Sequence, residues 1–156
     1  MRSDALRGTL AAVFERAPGL ASALRLADDE TPGSIIVQAR EAVERMTEGE
    51  RIAVLDAHPR IGADPASLSI LSRREQGENA DAGTLRQLAE LNDAYEKKFG
   101  FRCVVFVAGR SKHEIVRVLR ARLANTRAAE LKAGLDEFLA ISLDRLTARR
   151  SGPSGR

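Results

Sequence analysis

Hydrophobic residues recur at helical spacing along most of the chain. In the first stretch Leu6, Leu10, Val13 and Phe14 return every three or four positions until Pro18. A second stripe has the same spacing and consists of Ile35, Ile36, Ala39, Ala42, Val43 and Met46. Apolar positions three and four residues apart lie on one face of an α-helix. Both stretches are therefore predicted to be helices that pack one face against a core.

Capping residues and prolines predict where these helices begin and end. Thr31 is a good N-cap, and Pro32 suits the first helical position. Residues 47–50, Thr-Glu-Gly-Glu, have the spacing of a capping box and predict a short helix. That helix should loosen near His58, because Pro59 disfavours helical geometry in the residue before it.

The second half of the chain continues the helical pattern after an irregular connection over residues 59–71. Residues 72–75 again have capping-box spacing. A clearer helix is predicted from Thr84 to Gly100, with an inward face of Leu85, Leu88, Leu91, Tyr95 and Phe99. Another should start at Ser111, and a last one at Asn125 or Thr126. The final helix carries Leu131, Leu135, Phe138, Ile141 and Leu146 as its stripe.

Residues 101–107 form the only strand-like run, Phe-Arg-Cys-Val-Val-Phe-Val. One strand cannot make a sheet, because its backbone groups would stay unpaired. We therefore predict a short buried extended segment between helices. The fold class is all-α: one domain over residues 1–150, with about seven or eight helices. Residues 151–156, a polar Ser/Gly/Pro sequence, are predicted to be a disordered tail.

Composition narrows the classes of function. The chain has 156 residues, with 25 Lys plus Arg against 22 Asp plus Glu, and few aromatic residues. A nucleic-acid binder more often has a clustered basic stripe with interleaved aromatics, so no nucleic-acid partner is expected. One cysteine excludes an internal disulfide. No apolar run approaches the length that crosses a membrane, and no signal peptide is evident, so the predicted location is cytoplasmic.

Two histidines and one cysteine are the candidate metal ligands and reactive side chains of this chain. His58, His113 and Cys103 do not have zinc-like spacing, so no metal site is predicted. Cys103 is interpreted as a buried thiol and His113 as a solvated surface residue. His58 stands at a forced helix break, where an imidazole can project into a pocket. Because imidazole ordinarily titrates near neutral pH, His58 suits acid/base catalysis, although a histidine interacting with the helix C-terminus is the simpler alternative.

Three further polar residues have equally plausible structural roles. Glu75 could serve only as the capping-box partner of Ser72. Gln76 would ordinarily be a surface residue. Arg110, in a Gly-Arg-Ser turn, could clamp a carboxylate with two hydrogen bonds, but arginine is abundant in this chain.

Taken in order, five segments resemble one enzyme family. They are Ala57-His58-Pro59-Arg60-Ile61-Gly62, Ser72-Arg73-Arg74-Glu75-Gln76, Leu91-Asn92-x-x-Tyr95 with Lys98-Phe99-Gly100-Phe101, Gly109-Arg110-Ser111, and Arg122-Leu123-x-Asn125. This ordered set is similar to the signature of the 2-oxo-4-hydroxy-4-carboxy-5-ureidoimidazoline (OHCU) decarboxylases. The resemblance runs from about Leu10 to about Arg145. It departs from the family pattern at Gly19 and around residues 70–73, where family members often have tryptophan.

The resemblance implies an all-helical, usually dimeric enzyme that uses no cofactor and no metal. Such enzymes convert OHCU to (S)-allantoin and carbon dioxide late in urate breakdown. Carried over by matching motif, the catalytic residues would be His58 and Glu75. The substrate-binding residues would be Pro59, Ser72, Gln76, Phe101, Arg102, Cys103, Val104, Val105 and, more speculatively, Arg110.

A helical binding module without this activity is the alternative. Its support is the arginine-rich stretch at residues 117–122, Arg-Val-Leu-Arg-Ala-Arg, which could face nucleic acid or a partner helix. A solvated helix face whose cations alternate with core residues explains the same pattern.

Overall fold

A computed structural model describes residues 2–62 and 82–150, and seven helices lie in these two ranges. They are α1 (Arg2–Val13), α2 (Leu20–Ala23), α3 (Pro32–Arg45), α4 (Glu48–Asp56), α5 (Ala82–Phe99), α6 (Lys112–Arg122) and α7 (Arg127–Arg150). The all-α prediction is confirmed. Ser72, Glu75, Gln76 and the predicted tail at residues 151–156 lie outside the described residues.

The predicted helix starts are built from local hydrogen bonds. Thr31 Oγ1 accepts from the backbone N–H of Ser34 at 3.1 Å, and Ser34 Oγ accepts from the N–H of Thr31 at 2.9 Å. Thr47 and Glu50 make the same reciprocal pair at 3.2 and 3.1 Å. Each capping box satisfies two backbone N–H groups that would otherwise lack a partner at a helix start.

The long helix α7 forms the centre of the packing, because α1, α3, α4 and α5 all contact it. Gly134 permits the close approach of α4, since a Cβ at this position would lie 3.2 Å from the side chain of Leu55. Phe14 and Phe138 meet in the core with ring centroids 5.9 Å apart. Helix α5 packs mainly against α6. None of the described helices is long and apolar enough to cross a membrane.

Two local predictions were wrong. Leu85 was assigned to the inward face of α5, but 37% of its surface is exposed, whereas Leu88 and Tyr95 are buried. The start of α5 lies at Ala82, before the predicted Thr84. Helix α2 was not predicted, because it spans four residues and is too short to show a periodic pattern.

The run at residues 101–107 is buried between α5 and α6. It belongs to no helix and no strand of the described chain, and the side chains of Phe101, Cys103, Val104, Val105 and Val107 are all buried. It begins after Gly100, whose φ of +82° ends α5 in the left-handed region that glycine adopts without strain. The prediction that these residues form a buried segment between two helices is confirmed.

Candidate active site

His58 lies just beyond the end of α4 and is almost completely buried, with 5% of its surface exposed. Its ring stands edge-on to Phe138 of α7, with centroids 5.2 Å apart and an interplanar angle of 90°. Its Nε2 is buried and has no hydrogen-bond partner in the described part of the chain. A buried polar atom without a partner is costly and rare in folded proteins. This nitrogen is therefore a candidate contact for a ligand.

The surroundings of His58 favour its neutral form. Burial lowers the pKa of His58 to about 4; the positive charge of Arg145 also lowers it, and Glu15 acts in the opposite direction. This pKa lies well below the ordinary value of an imidazole. At pH 7 the ring is uncharged and can accept a proton.

A buried ion pair accompanies this imidazole. Arg145 Nη2 lies 3.1 Å from Glu15 Oε1, and Arg145 Nη1 donates to the carbonyl of Val13 at 2.8 Å. Arg145 is contributed by α7, whereas Glu15 follows the end of α1. The pair thus joins the first and last helices beside His58.

The backbone that carries Glu15 is unusual. Glu15 and Arg16 have φ values of +52° and +56°, in the left-handed region that residues with side chains seldom adopt. The N–H of Arg16 donates to the carbonyl of Ala11 at 2.7 Å, which closes the end of α1. This turn directs Glu15 towards Arg145, so part of its strain is offset by the buried pair.

Arg102 connects His58 to the buried segment. Its Nη1 donates to the carbonyls of His58 at 2.8 Å and Asp56 at 2.9 Å, and its backbone N–H donates to Asp56 Oδ1 at 3.0 Å. Three hydrogen bonds therefore hold the start of the segment against the end of α4. The Arg102 guanidinium is occupied by backbone carbonyls in this arrangement.

The backbone N–H groups in the middle of the buried segment are a second set of candidate ligand contacts. Within the described chain, no group accepts a hydrogen bond from the N–H of Cys103, Val104 or Val105. Cys103 itself is inert, because burial raises the pKa of its thiol to about 12. The peptide groups of this segment, rather than the thiol, are thus suited to bind a ligand with alternating donors and acceptors.

Pro59 and Arg110 are the other predicted site residues that the structure describes. Pro59 is half-buried directly after His58. Arg110 donates from Nε to the carbonyl of Val107 at 3.1 Å and also bonds the carbonyl of Phe106, so it braces its own turn. His113 is exposed, as expected. The structure therefore brings His58, Arg102 and the buried segment together.

Sequence reasoning missed Glu15, Phe138 and Arg145 as neighbours of His58. A signal for Arg145 was present: it lies on the apolar stripe of α7, seven residues after Phe138 and beside Leu146. A charged residue on a buried helix face needs a partner of opposite charge or a hydrogen-bonding role. Glu15 carried no comparable signal, because the pair joins residues at opposite ends of the chain.

Comparison with known proteins gives a consistent result. A family model described as OHCU decarboxylase matches residues 1–147. The uric acid degradation bifunctional protein of Bacillus sp. (strain TB-90) is 33% identical over 111 residues, covering 68% of this chain and 22% of that protein. The 2-oxo-4-hydroxy-4-carboxy-5-ureidoimidazoline decarboxylase of Haloferax volcanii is 26% identical over 148 residues, covering 89% of this chain and 85% of that protein.

A solved structure shows the same fold. The crystal structure of OHCU decarboxylase in the presence of (S)-allantoin superposes with a TM-score of 0.75 at 25% identity, covering 90% of this chain and 96% of that one. The chain spans only 22%, 30% and 31% of three bifunctional relatives that it matches.

Proposed function

The chain belongs to the OHCU decarboxylase family, and on that premise we propose that it converts OHCU to (S)-allantoin and carbon dioxide. The observation that carries the proposal is the buried imidazole of His58, whose Nε2 has no partner among the described residues. It lies beside a buried segment whose middle N–H groups have no acceptor among the described residues. A base and a set of recognition groups are thus adjacent, as this reaction requires.

The reaction needs an electron sink, a base and a proton delivered to one face. When the carboxylate leaves C4 as carbon dioxide, the electron pair of the broken bond passes towards the adjacent C5=N group of the ring. The ring nitrogen of that group takes up a proton, the C4 hydroxyl loses its proton and becomes a carbonyl, and C5 gains a proton. One proton is taken up overall for each carbon dioxide released. The protein supplies positioning and proton transfer.

His58 is the base in this scheme. Its neutral imidazole accepts the C4 hydroxyl proton as the carbonyl forms. Burial lowers the pKa of His58 to about 4, so the ring is neutral at pH 7 and its free nitrogen can accept a proton or a hydrogen bond. A protonated ring at this position would instead attract the substrate carboxylate and stabilise the ground state.

Recognition and stereochemistry are assigned to the other family-matched residues. Glu75 would orient the imidazole or deliver the proton to one face of the ring. Gln76 would bond the ureido or ring amide edge, whose donors and acceptors match an amide side chain. The proposed substrate contacts are completed by Ser72, Pro59, Phe101, Arg102, Cys103, Val104 and Val105, with Arg110 as an anion contact.

The direct test is to supply freshly generated OHCU and follow the circular dichroism of the product. Spontaneous decay yields racemic allantoin, so an enzyme-dependent signal of the (S) isomer supports the proposal. Racemic product at the uncatalysed rate contradicts it. The alternative of a binding module rests on residues 117–122, and salt-sensitive binding of nucleic acid without turnover would favour it.

Glu75 can be tested separately by Glu75→Gln. Glutamine also serves at the third helical position of a capping box, so a purely structural Glu75 would leave turnover nearly normal. We expect turnover to fall by about a hundredfold, as for loss of an acid/base group. Glu75→Asp, which keeps the carboxyl group, is the matched control and should retain more activity than the amide variant.

Quaternary structure and location are part of the same proposal. The family resemblance supports a homodimer that acts in the cytoplasm on a small ureidoimidazoline. Light scattering coupled to size-exclusion chromatography tests the dimer, and a monomer that turns over OHCU at full rate would contradict it. Fractionation of the source cells tests the compartment.

A further inference from the structure

The motif Arg122-Leu123-x-Asn125 is part of the family signature, yet the proposed chemistry gives it no role. In the structure it lies at the end of α6, and Arg122 reaches the buried segment. Its Nη1 donates to the carbonyl of Val104 at 2.6 Å. Its Nε donates to Glu130 Oε1 at 2.7 Å. Arg122 is thus the link between α7 and the middle of residues 101–107.

The carboxylate of Glu130 has two further hydrogen-bond partners, Tyr95 and Asn125. Tyr95 of α5 donates its hydroxyl hydrogen to Oε1 at 2.7 Å, and Asn125 donates to Oε2 at 2.9 Å. Glu130 is 1% exposed, so its carboxylate is shielded from water. The guanidinium of Arg122 also lies over the Tyr95 ring, 5.8 Å from its centroid. These contacts leave Arg122 little freedom to turn.

The segment has few other restraints. Arg102 holds its start through Asp56 and His58, and Arg110 holds its end through Phe106 and Val107. Between these ends, Arg122 holds the backbone by its bond to the Val104 carbonyl, and the Cys103 side chain hydrogen-bonds Tyr95. Successive peptide groups of an extended chain point in alternating directions, so fixing one carbonyl restricts the peptide groups on either side.

Stability alone is a weak reason for this network. Arg122 Nη2 is buried without a hydrogen-bond partner among the described residues. A buried ion pair often contributes no more than well-packed apolar side chains of similar size. What an apolar replacement could not supply is a defined hydrogen bond to the Val104 carbonyl.

We propose that Arg122 is a positioning residue for the substrate. Glu130 fixes the orientation of the Arg122 guanidinium, which in turn holds the Val104 carbonyl. This bond sets the backbone of Phe101, Cys103 and Val105, which receives the substrate ring. This inference rests on the proposed function. It assigns Arg122 no contact with substrate, and it predicts an effect on binding and stereochemistry rather than on proton transfer.

The test measures KM, kcat and the enantiomeric excess of the enzyme-catalysed product for Arg122→Met and Arg122→Lys. For Arg122→Met we expect KM to rise about tenfold and enantiomeric excess to fall, because a displaced peptide group misplaces the ring. Arg122→Lys should be intermediate, since an ammonium cannot hold both Glu130 and Val104 in the fork of a guanidinium. The pH dependence of kcat, set by His58, should not move.

Two control variants separate positioning from folding. Leu119→Ala removes a buried apolar side chain from the same helix and lowers stability, but it should leave the KM and enantiomeric excess of the folded enzyme unchanged. Arg40→Met removes an exposed arginine that pairs with Asp136 on another face. It should change neither quantity.

Each outcome decides the inference. If Arg122→Met folds and has the KM and enantiomeric excess of the wild type, the inference is overturned. If Arg122→Met does not fold, wild-type values in Arg122→Lys overturn the inference instead. Loss of activity matched by Leu119→Ala at equal loss of stability also overturns it. A wild-type protein that makes no chiral allantoin refutes the proposed function itself, and a wild-type protein that makes it while Arg122 variants are normal refutes this inference alone.

Discussion

Two buried polar centres differ in what their hydrogen bonds hold in place. Around Glu130, the groups of Tyr95, Arg122 and Asn125 converge on one carboxylate, and both of its oxygens accept hydrogen bonds. Around His58, the ring packs against Phe138, and Nε2 has no partner in the described chain. The first centre holds helices and a segment together, whereas the second leaves a reactive atom available.

The comparison also separates two ways in which burial changes protonation. Burial raises the pKa of Tyr95 far above its ordinary value, so the phenol keeps its proton and donates to Glu130. Burial lowers the pKa of His58, so the imidazole loses its proton and becomes an acceptor. In both cases burial favours the neutral form, but it creates a donor in one centre and a base in the other.

The largest expected effect comes from His58→Asn. Turnover should fall by about a hundredfold or more, because a general base typically contributes that much. Circular dichroism of the allantoin formed measures the loss, and the far-UV spectrum checks that the variant is folded. An undiminished chiral signal would remove His58 from the mechanism.

Glu130→Ala should act mainly on stability. It leaves the buried Arg122 charge without its partner, and breaking a buried pair costs about 3–5 kcal/mol. Urea denaturation at pH 7 measures the change in the free energy of unfolding. The double variant Arg122→Met/Glu130→Met should recover part of that loss, and equal stability of the wild type and Glu130→Ala would contradict the assignment.

A smaller effect should appear as a pH dependence of stability. The pKa of His58 falls from 6.5 in the unfolded chain to about 4 in the folded one, so between these values the unfolded state binds the proton more readily. The contribution of His58 to the free energy of unfolding is fully present above pH 6.5. It is lost as the pH falls towards 4, and the total loss is about 3 kcal/mol.

The measurement is urea denaturation of the wild type and His58→Asn at several pH values. The variant should lack this part of the pH dependence, whereas carboxyl groups remote from position 58 contribute equally to both proteins. Parallel stability curves for the two proteins across this range would show that His58 is not shifted.

The smallest effect is expected at the exposed pair of Arg40 and Asp136, whose atoms lie 2.9 Å apart. Asp136→Ala should change the free energy of unfolding by about 1 kcal/mol or less, because water and salt screen exposed pairs. A loss as large as that of Glu130→Ala would show that burial does not explain the difference between ion pairs in this protein.

Local signals in the sequence were predictive where the physics is local. The starts of α3 and α4 depend on hydrogen bonds between residues three apart, so Thr31 and Thr47 could be identified directly. The break before Pro59 has an equally local cause. Leu85 was misplaced because periodicity defines a helix face but not whether a neighbour covers its edge.

The amino-acid sequence by itself determined the helical class, the main helix boundaries, the buried segment and the choice of His58 as the candidate base. Only the tertiary structure decided the surroundings of that base. Phe138, Arg145 and Glu15 reach it from the two ends of the chain, and the pKa of His58 depends on burial and charges that no short motif encodes. Helix starts depend on neighbours a few residues away, whereas a site depends on contacts between residues far apart in sequence.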